Sequence, residues 1–166
     1  VVWPDDQAWY IPAGLQALRT LFESKQDGAG AALDAFIEQT KYIYEAAFED
    51  YLFRPSLSFF EFVDPRLVVE LFRLRMLRSM SRYARSFFDD EKLARLVEWP
   101  VLFLGASAEN TSAMYSLMSY ADMALGTWYP KGGMHRIIES MVQVATGLGV
   151  EFRMGEPVDA IEVEKG

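Results

Sequence analysis

The stretch that decides the fold is residues 31–52, which read AALDAFIEQTKYIYEAAFEDYL. Its apolar and aromatic side chains recur every three or four residues, which places them on one face of a helix. These positions are Leu33, Phe36, Ile37, Thr40, Tyr44, Ala47, Phe48 and Tyr51. The pattern therefore predicts a long amphipathic helix over residues 31–52 that packs against other helices.

Helical patterns continue on both sides of this stretch. Upstream, apolar runs around a Pro4-Asp5-Asp6 turn predict a hairpin over residues 1–11. A helix is then predicted from Pro12, which suits a first helical turn, to Asp27-Gly28. Downstream, Asp64-Pro65 resembles a helix cap followed by proline and predicts a helix to about residue 84.

The middle of the chain contains shorter elements. Apolar spacing predicts a helix over residues 91–97, and a brief apolar run follows at residues 101–104 before Gly105. Asn110-Thr111-Ser112 offers a cap for a further helix that extends to about Leu125.

Toward the C-terminus, strand-like stretches appear beside a helical one. Residues 126–130 are strand-like, a glycine turn follows, and an apolar stripe predicts a helix from Met134 to Leu148. Two more strands are predicted, at residues 150–154 and 158–163. The fold class is therefore α+β and predominantly helical, with a short N-terminal hairpin and a C-terminal strand-helix-strand-strand section. Residues 1–130 form the mostly helical domain, and residues 131–166 form the closing helix and strands.

Length, composition and charge limit the classes of protein to which this chain can belong. The chain has 166 residues, of which 51% are hydrophobic. This length and composition predict a globular protein with a hydrophobic core. With 24 acids against 16 bases the net charge is −8, which argues against a nucleic-acid partner. The lack of cysteine and of a signal peptide favours the reducing cytoplasm. Because the chain begins without methionine and ends just after an apparent strand, we expect it to be a piece of a longer protein.

One segment is strongly basic. Residues 66–85 carry six arginines and one acid. Four of them fall within an arc of about 80° on a helix, and these are Arg75, Arg78, Arg82 and Arg85. The favoured interpretation is a core-facing helix whose arginines pair with the acidic remainder. The alternative is a basic amphipathic helix that lies on anionic lipid, peripheral to the inner face of the membrane.

Catalytic groups are scarce in this sequence. Residues 28–33, GAGAAL, approach a dinucleotide-binding fingerprint but lack its third glycine and follow a polar helix end, so an inter-helix loop is predicted. The single histidine, His135, is predicted to be a polar residue in the first turn of a helix. We therefore assign no catalytic residue and no metal ligand.

Residues 128–134, WYPKGGM, are the most informative stretch for function. Two successive glycines permit close approach of a ligand to the backbone. The helix that follows presents free N–H groups and the positive end of its dipole. Alone, such a turn is weak evidence of a ligand site. The neighbouring stretches of sequence make this evidence more specific.

Those neighbours are Leu102–Ser107, Ala113–Leu117, Gly149-Val150 and Val158–Ile161. Together with residues 126–134 they resemble the middle of bacterial-type phytoene desaturases, which are FAD-dependent carotenoid oxidoreductases of the amine oxidase superfamily. The resemblance is clear from about residue 100 to residue 166 and looser over residues 1–99.

The resemblance implies a domain that covers a channel for a long apolar substrate. FAD would bind mainly to a Rossmann-like domain built from segments outside this chain, and that remainder of the parent flavoprotein would be its partner. By the same resemblance, the cofactor contacts are Lys131, Gly132, Gly133, Met134 and Val158. The expected substrate contacts are Trp128, Tyr129, Met114, Met118, Phe59 and Phe60.

A non-enzymatic function is the alternative. In that case an acidic helical module docks on a membrane or a partner protein through the basic residues 66–85. The fragment alone is expected to be inactive under either interpretation.

Overall fold

The computed structural model describes residues 1–48 and 77–163. The chain divides into two compact units, Val1–Thr127 and Trp128–Gly166. The end of the predicted helix 31–52 and most of the predicted helix up to residue 84 lie outside the described residues.

The N-terminal residues turn back on themselves, but through one isolated bridge rather than the paired strands of the predicted hairpin. Val2 and Ala8 form an antiparallel bridge, and the Trp3 N–H donates to the Gln7 carbonyl at 2.8 Å. The rings of Trp3 and Trp9 meet edge to face at 5.3 Å between centroids. Lys92 Nζ reaches the hairpin turn and pairs with Asp5 Oδ2 at 2.6 Å, which ties the hairpin to the helical part.

Two helices follow the hairpin and pack against each other. Helix α1 is Leu15–Lys25, and helix α2 is Ala29–Ala46. Leu33, Phe36 and Ile37 of the predicted apolar stripe are buried in α2, as the spacing required. Gly28, at φ 79°, makes the turn between the helices.

The predicted helix to residue 84 is wrong at residues 77–79. Helix α3 is only Met80–Ala84 and is preceded by Ser79 in an extended conformation, with ψ 149°. Ser79 forms an antiparallel bridge with Ser112, and its hydroxyl accepts the Arg82 N–H at 3.3 Å. The bridge holds Ser79 extended and its hydroxyl caps α3, so Arg78 and Arg82 do not share one regular helical face.

The middle elements are short and contiguous. Helix α4 is Glu91–Glu98, and it runs into a 3-10 helix, Trp99–Leu104, where an apolar run was predicted. A 3-10 helix at Ala113–Ser116 is capped by the Ser112 hydroxyl. Helix α5, Leu117–Tyr120, then continues as a π-helix over Ala121–Leu125.

The core of the first unit lies among these helices. The rings of Phe22 and Phe88 meet edge to face at 5.3 Å, and Phe36 contacts Phe87 at 5.4 Å. The largest fully buried side chains are Tyr83, Phe22, Phe36, Phe88, Leu33, Ile43, Met80, Leu93, Val97 and Val101. Each buried aromatic or aliphatic side chain stabilises the fold by roughly 1.5–3 kcal/mol, before the entropy cost of folding.

The second unit contains helix α6, His135–Gly147. Its start agrees with the predicted position of His135. The three strands predicted at residues 126–130, 150–154 and 158–163 are not confirmed, because the described residues form no ladder there. A strand needs a neighbouring strand for its backbone hydrogen bonds, and these segments meet none within the described part of the chain. The predominantly helical fold class is confirmed.

Candidate functional site: a glycine turn and an aromatic cluster

The Gly132-Gly133 turn lies immediately before α6. Both glycines have positive φ, 90° and 95°, a conformation that other residues rarely adopt. The Gly133 N–H donates to the Pro130 carbonyl at 3.1 Å, which closes the turn. Among the described residues, the nearest atom to a Cβ added at Gly133 is the Tyr129 hydroxyl oxygen, at 3.9 Å. Within the described part of the second unit, the space at Gly133 is therefore open.

The first backbone groups of α6 extend this site. The Arg136 N–H bonds to the Gly133 carbonyl at 3.1 Å. Within the described residues, the N–H groups of Met134 and His135 donate no hydrogen bond. The His135 side chain is exposed, and its Nε2 lies 4.0 Å from Glu139 Oε1. The helix start therefore offers backbone donors of the kind that bind anions or polar ring atoms.

The structure distributes the remaining predicted contacts between the two units. In the second unit, the side chains of Trp128, Tyr129 and Val158 are 87%, 73% and 79% exposed, and Lys131 is also exposed. In the first unit, Met114 and Met118 are half-buried. Phe59 and Phe60 lie outside the described residues.

An aromatic cluster in the first unit was not predicted from the sequence. The rings of Tyr44 and Phe48 stack with centroids 4.4 Å apart, and Tyr44 also contacts Tyr120 at 5.3 Å. The cluster joins the end of α2 to α5. The apolar spacing places Tyr44 and Phe48 on the buried face of the predicted helix. In the structure, all three rings of the cluster are only half-buried. Their spacing of four residues was a usable signal, but the contact with Tyr120 required the tertiary fold.

The arginines of the basic segment have local partners where they are described. Arg85 pairs with Glu91 at 2.6 Å and with Glu98 at 2.7 Å, and Arg78 donates to the Arg82 carbonyl at 3.0 Å. The hydrogen bond from Arg85 lowers the pKa of Glu91, whereas burial raises the pKa of Glu98. These contacts favour the ion-pairing interpretation for Arg85. Arg75 lies outside the described residues, and the lipid-facing role of the four arginines stays a prediction.

The GAGAAL stretch does not form a phosphate site. It follows helix α1 rather than a strand. The two carboxylate oxygens of Glu23 accept the N–H groups of Gly28 and Gly30, at 3.0 and 2.8 Å. The chain's own carboxylate therefore occupies these N–H groups, which a pyrophosphate would need. The predicted inter-helix loop is wrong for most of the stretch, because only Gly28 lies in the turn and residues 29–33 form the start of α2.

None of the helices within residues 1–48 and 77–163 is both long enough and apolar enough to cross a membrane.

Comparison with known proteins gives a consistent picture. The model of the family described as flavin containing amine oxidoreductase matches residues 10–166. The zeta-carotene-forming phytoene desaturase of Myxococcus xanthus is 28% identical over 92% of this chain and 29% of its own length. The phytoene desaturase of Neurospora crassa is 32% identical over 74% of this chain and 21% of its own length.

A third relative aligns along the entire chain. The neurosporene-forming phytoene desaturase of Cereibacter sphaeroides is 28% identical over 100% of this chain and 32% of its own length. The chain thus spans less than a third of the length of these relatives.

Proposed function

Because the chain belongs to the family of flavin-containing amine oxidoreductases, we propose that it is the substrate-binding part of an FAD-dependent enzyme similar to phytoene desaturases. Residues 1–130 position the substrate, and residues 131–166 lead toward the FAD-binding domain. Bound FAD supplies the chemistry, since flavins accept hydride from carbon. The residues of this chain bind and orient the substrate.

The Gly132-Gly133 turn carries the cofactor part of the proposal. Its open face and the free N–H groups of Met134 and His135 suit a flat, polar ring system that approaches the backbone closely. Lys131 supplies a positive charge beside the turn, and the Val158 backbone is the proposed second contact. These groups reach only the edge of a dinucleotide, so the remainder of the protein binds the pyrophosphate.

The substrate class follows from the relatives and from the apolar side chains. Two relatives are named as phytoene desaturases, one zeta-carotene-forming and one neurosporene-forming, so the proposed substrate is a long apolar polyene. Aromatic rings and methionine side chains provide adaptable apolar walls for such a molecule. In the first unit Met114, Met118 and the Tyr44-Phe48-Tyr120 cluster offer these walls, and in the second unit Trp128 and Tyr129 do so.

The proposal is tested with the full-length protein. Anaerobic mixing with phytoene should bleach the visible absorbance of oxidised flavin, because the substrate reduces it. Gly133→Val should lower flavin content and turnover, since it introduces a β-branched side chain on the open face of the turn. The matched control is Gly149→Val, which has a comparable φ of 89° and nothing within 4 Å of an added Cβ.

The two glycine variants separate strain from ligand contact. A non-glycine residue at positive φ costs roughly 1–2 kcal/mol at either position, so both should lower the melting temperature. Normal flavin content in Gly133→Val would show that the glycines only form the turn and do not contact the flavin. A full-length protein that binds no flavin and leaves phytoene unchanged would favour the non-enzymatic docking module.

A further inference from the structure

The Tyr44-Phe48-Tyr120 cluster of the first unit combines apolar surface with two hydroxyl groups. All three of its rings are half-buried. Among the residues that the structure describes, the hydroxyls of Tyr44 and Tyr120 form no hydrogen bond. The buried Tyr83 differs from them, because its hydroxyl donates to Gln39 Oε1 at 3.0 Å. The cluster therefore holds two hydrogen-bond donors beside its ring faces.

The cluster is held in place by the helices that carry it. Tyr44 lies in the last turn of α2, and Tyr120 is the last residue of α5. These two helices pack against each other. Next to Tyr120, the buried Ser119 hydroxyl donates to the Val97 carbonyl of α4 at 2.7 Å, which ties α5 to the core. A ligand that bonds to the two hydroxyls would accordingly lose little free energy in ordering the site.

The two hydroxyls limit what the cluster can bind well. The inference rests on the proposed function, in which the cluster forms part of the wall for a polyene. In the free protein, half-buried hydroxyls bond to water. A hydrocarbon lying on them would displace this water and leave both hydroxyls without a partner, which is unfavourable. Phe48 supplies the same kind of apolar surface without that cost.

We propose that the polyene on which this protein acts carries an oxygen atom, as an alcohol or a ketone does, where it contacts the cluster. The hydroxyls of Tyr44 and Tyr120 donate hydrogen bonds to this oxygen, and the ring faces contact the neighbouring hydrocarbon. The oxygen has a binding role and takes no part in the transfer of hydride to the flavin. A site that bonds to a substrate oxygen discriminates against the analogue that lacks it. Oxygenated polyenes are therefore the preferred substrates, and pure hydrocarbons are weaker ones.

The test compares two polyenes with the full-length protein. One is phytoene, and the other is the tertiary alcohol made by hydrating a terminal double bond of phytoene. Both have the same carbon skeleton and the same conjugated double bonds, so they differ at the oxygen. Flavin reduction, followed by its absorbance, gives KM and kcat for each. The alcohol should have a KM about tenfold lower, as expected for hydrogen bonds to a neutral oxygen, with a similar kcat.

Variants that remove a hydroxyl and keep its ring locate the effect. Tyr44→Phe and Tyr120→Phe should each raise the KM for the alcohol several-fold, because one hydrogen bond is lost. The KM for phytoene should stay equal or fall, since the hydrocarbon then covers one unpaired hydroxyl fewer. The matched control is Tyr42→Phe, which removes a hydroxyl from a side chain of α2 that is 46% exposed and lies outside the cluster. It should change neither KM, and equal melting temperatures of all variants show that folding is unaffected.

The outcomes separate this inference from the proposed function. Equal KM values for the two polyenes in the wild type overturn the inference. So do cluster variants that change both KM values alike, because the rings then provide apolar packing alone. Either result leaves the proposed function standing, since both polyenes still reduce the flavin. If neither polyene reduces it, the proposed function fails and this inference fails with it.

Discussion

At the residue scale, Glu23 shows how one side chain decides what a glycine-rich stretch can do. Its carboxylate accepts the N–H groups of Gly28 and Gly30 at the start of α2. These hydrogen bonds lower the pKa of Glu23 below its ordinary value of 4.5. Its ionised form therefore stabilises the fold above that value, and this contribution is lost as the pH falls through the lowered pKa.

Glu23→Gln should lower the melting temperature at neutral pH by a few degrees, because the amide supplies one acceptor where the carboxylate supplies two. The difference from wild type should shrink at acid pH, where the wild-type carboxylate is also protonated. Thermal unfolding at both pH values measures this. Glu38→Gln, on an exposed position of α2, is the control and should leave the melting temperature unchanged. A Glu23→Gln deficit that is as large at acid pH would contradict the explanation.

At the element scale, α4 depends on the residue that caps its first turn. Two acids, Asp89 and Asp90, directly precede the helix. The structure makes Asp90 the cap of α4, because its Oδ1 accepts the N–H groups of Lys92 and Leu93 at 2.8 and 3.1 Å.

Asp90→Ala should therefore destabilise the fold by about 1 kcal/mol, the usual cost of losing a helix cap. The neighbouring Asp89→Ala is the matched control, since Asp89 is exposed and contributes no cap contact. Urea unfolding of both variants provides the measurement. Equal losses from the two substitutions would show that α4 needs the charge of the turn rather than the cap.

The elements also show which parts of the fold the sequence could predict. The apolar spacing located α1, α2, α4 and α6, because each helix buries or presents a stripe that is visible in the sequence. The interruption at Ser79 depends on a bridge to Ser112, a contact between distant residues that no local pattern contains. The strands of residues 150–163 had the right composition, but a strand forms only where a partner backbone is present.

At the scale of the whole molecule, the family could be predicted from the sequence, whereas the predicted site residues stay predictions. The WYPKGGM stretch and its neighbours identified the resemblance, which the match over residues 10–166 confirms. The close approach of a flavin at Gly133 stays a prediction. The Tyr44-Phe48-Tyr120 cluster was not predicted, since side-chain contacts between distant residues depend on how the helices pack.

The 166-residue chain by itself should show no saturable binding of FAD. Glu23 occupies the N–H groups of Gly28 and Gly30 in the GAGAAL stretch, and a dinucleotide needs a glycine-rich turn to hold its pyrophosphate. Titration followed by flavin fluorescence checks this, with free riboflavin as the control for non-specific quenching. Stoichiometric binding at micromolar concentration would show that the flavin site lies within this chain.

The second unit has a consequence for how the protein is made in a cell. Ile138, Met141 and Val144 of α6 are 55%, 66% and 63% exposed, and Phe152 and Met154 beyond it are 47% and 87% exposed. During translation such a segment emerges with its apolar side chains and unpaired backbone accessible to other nascent chains. Until these apolar side chains are buried, we expect chaperones to bind the segment. Overproduction of the chain alone should accordingly favour inclusion bodies, and co-expressed holdases should raise its yield.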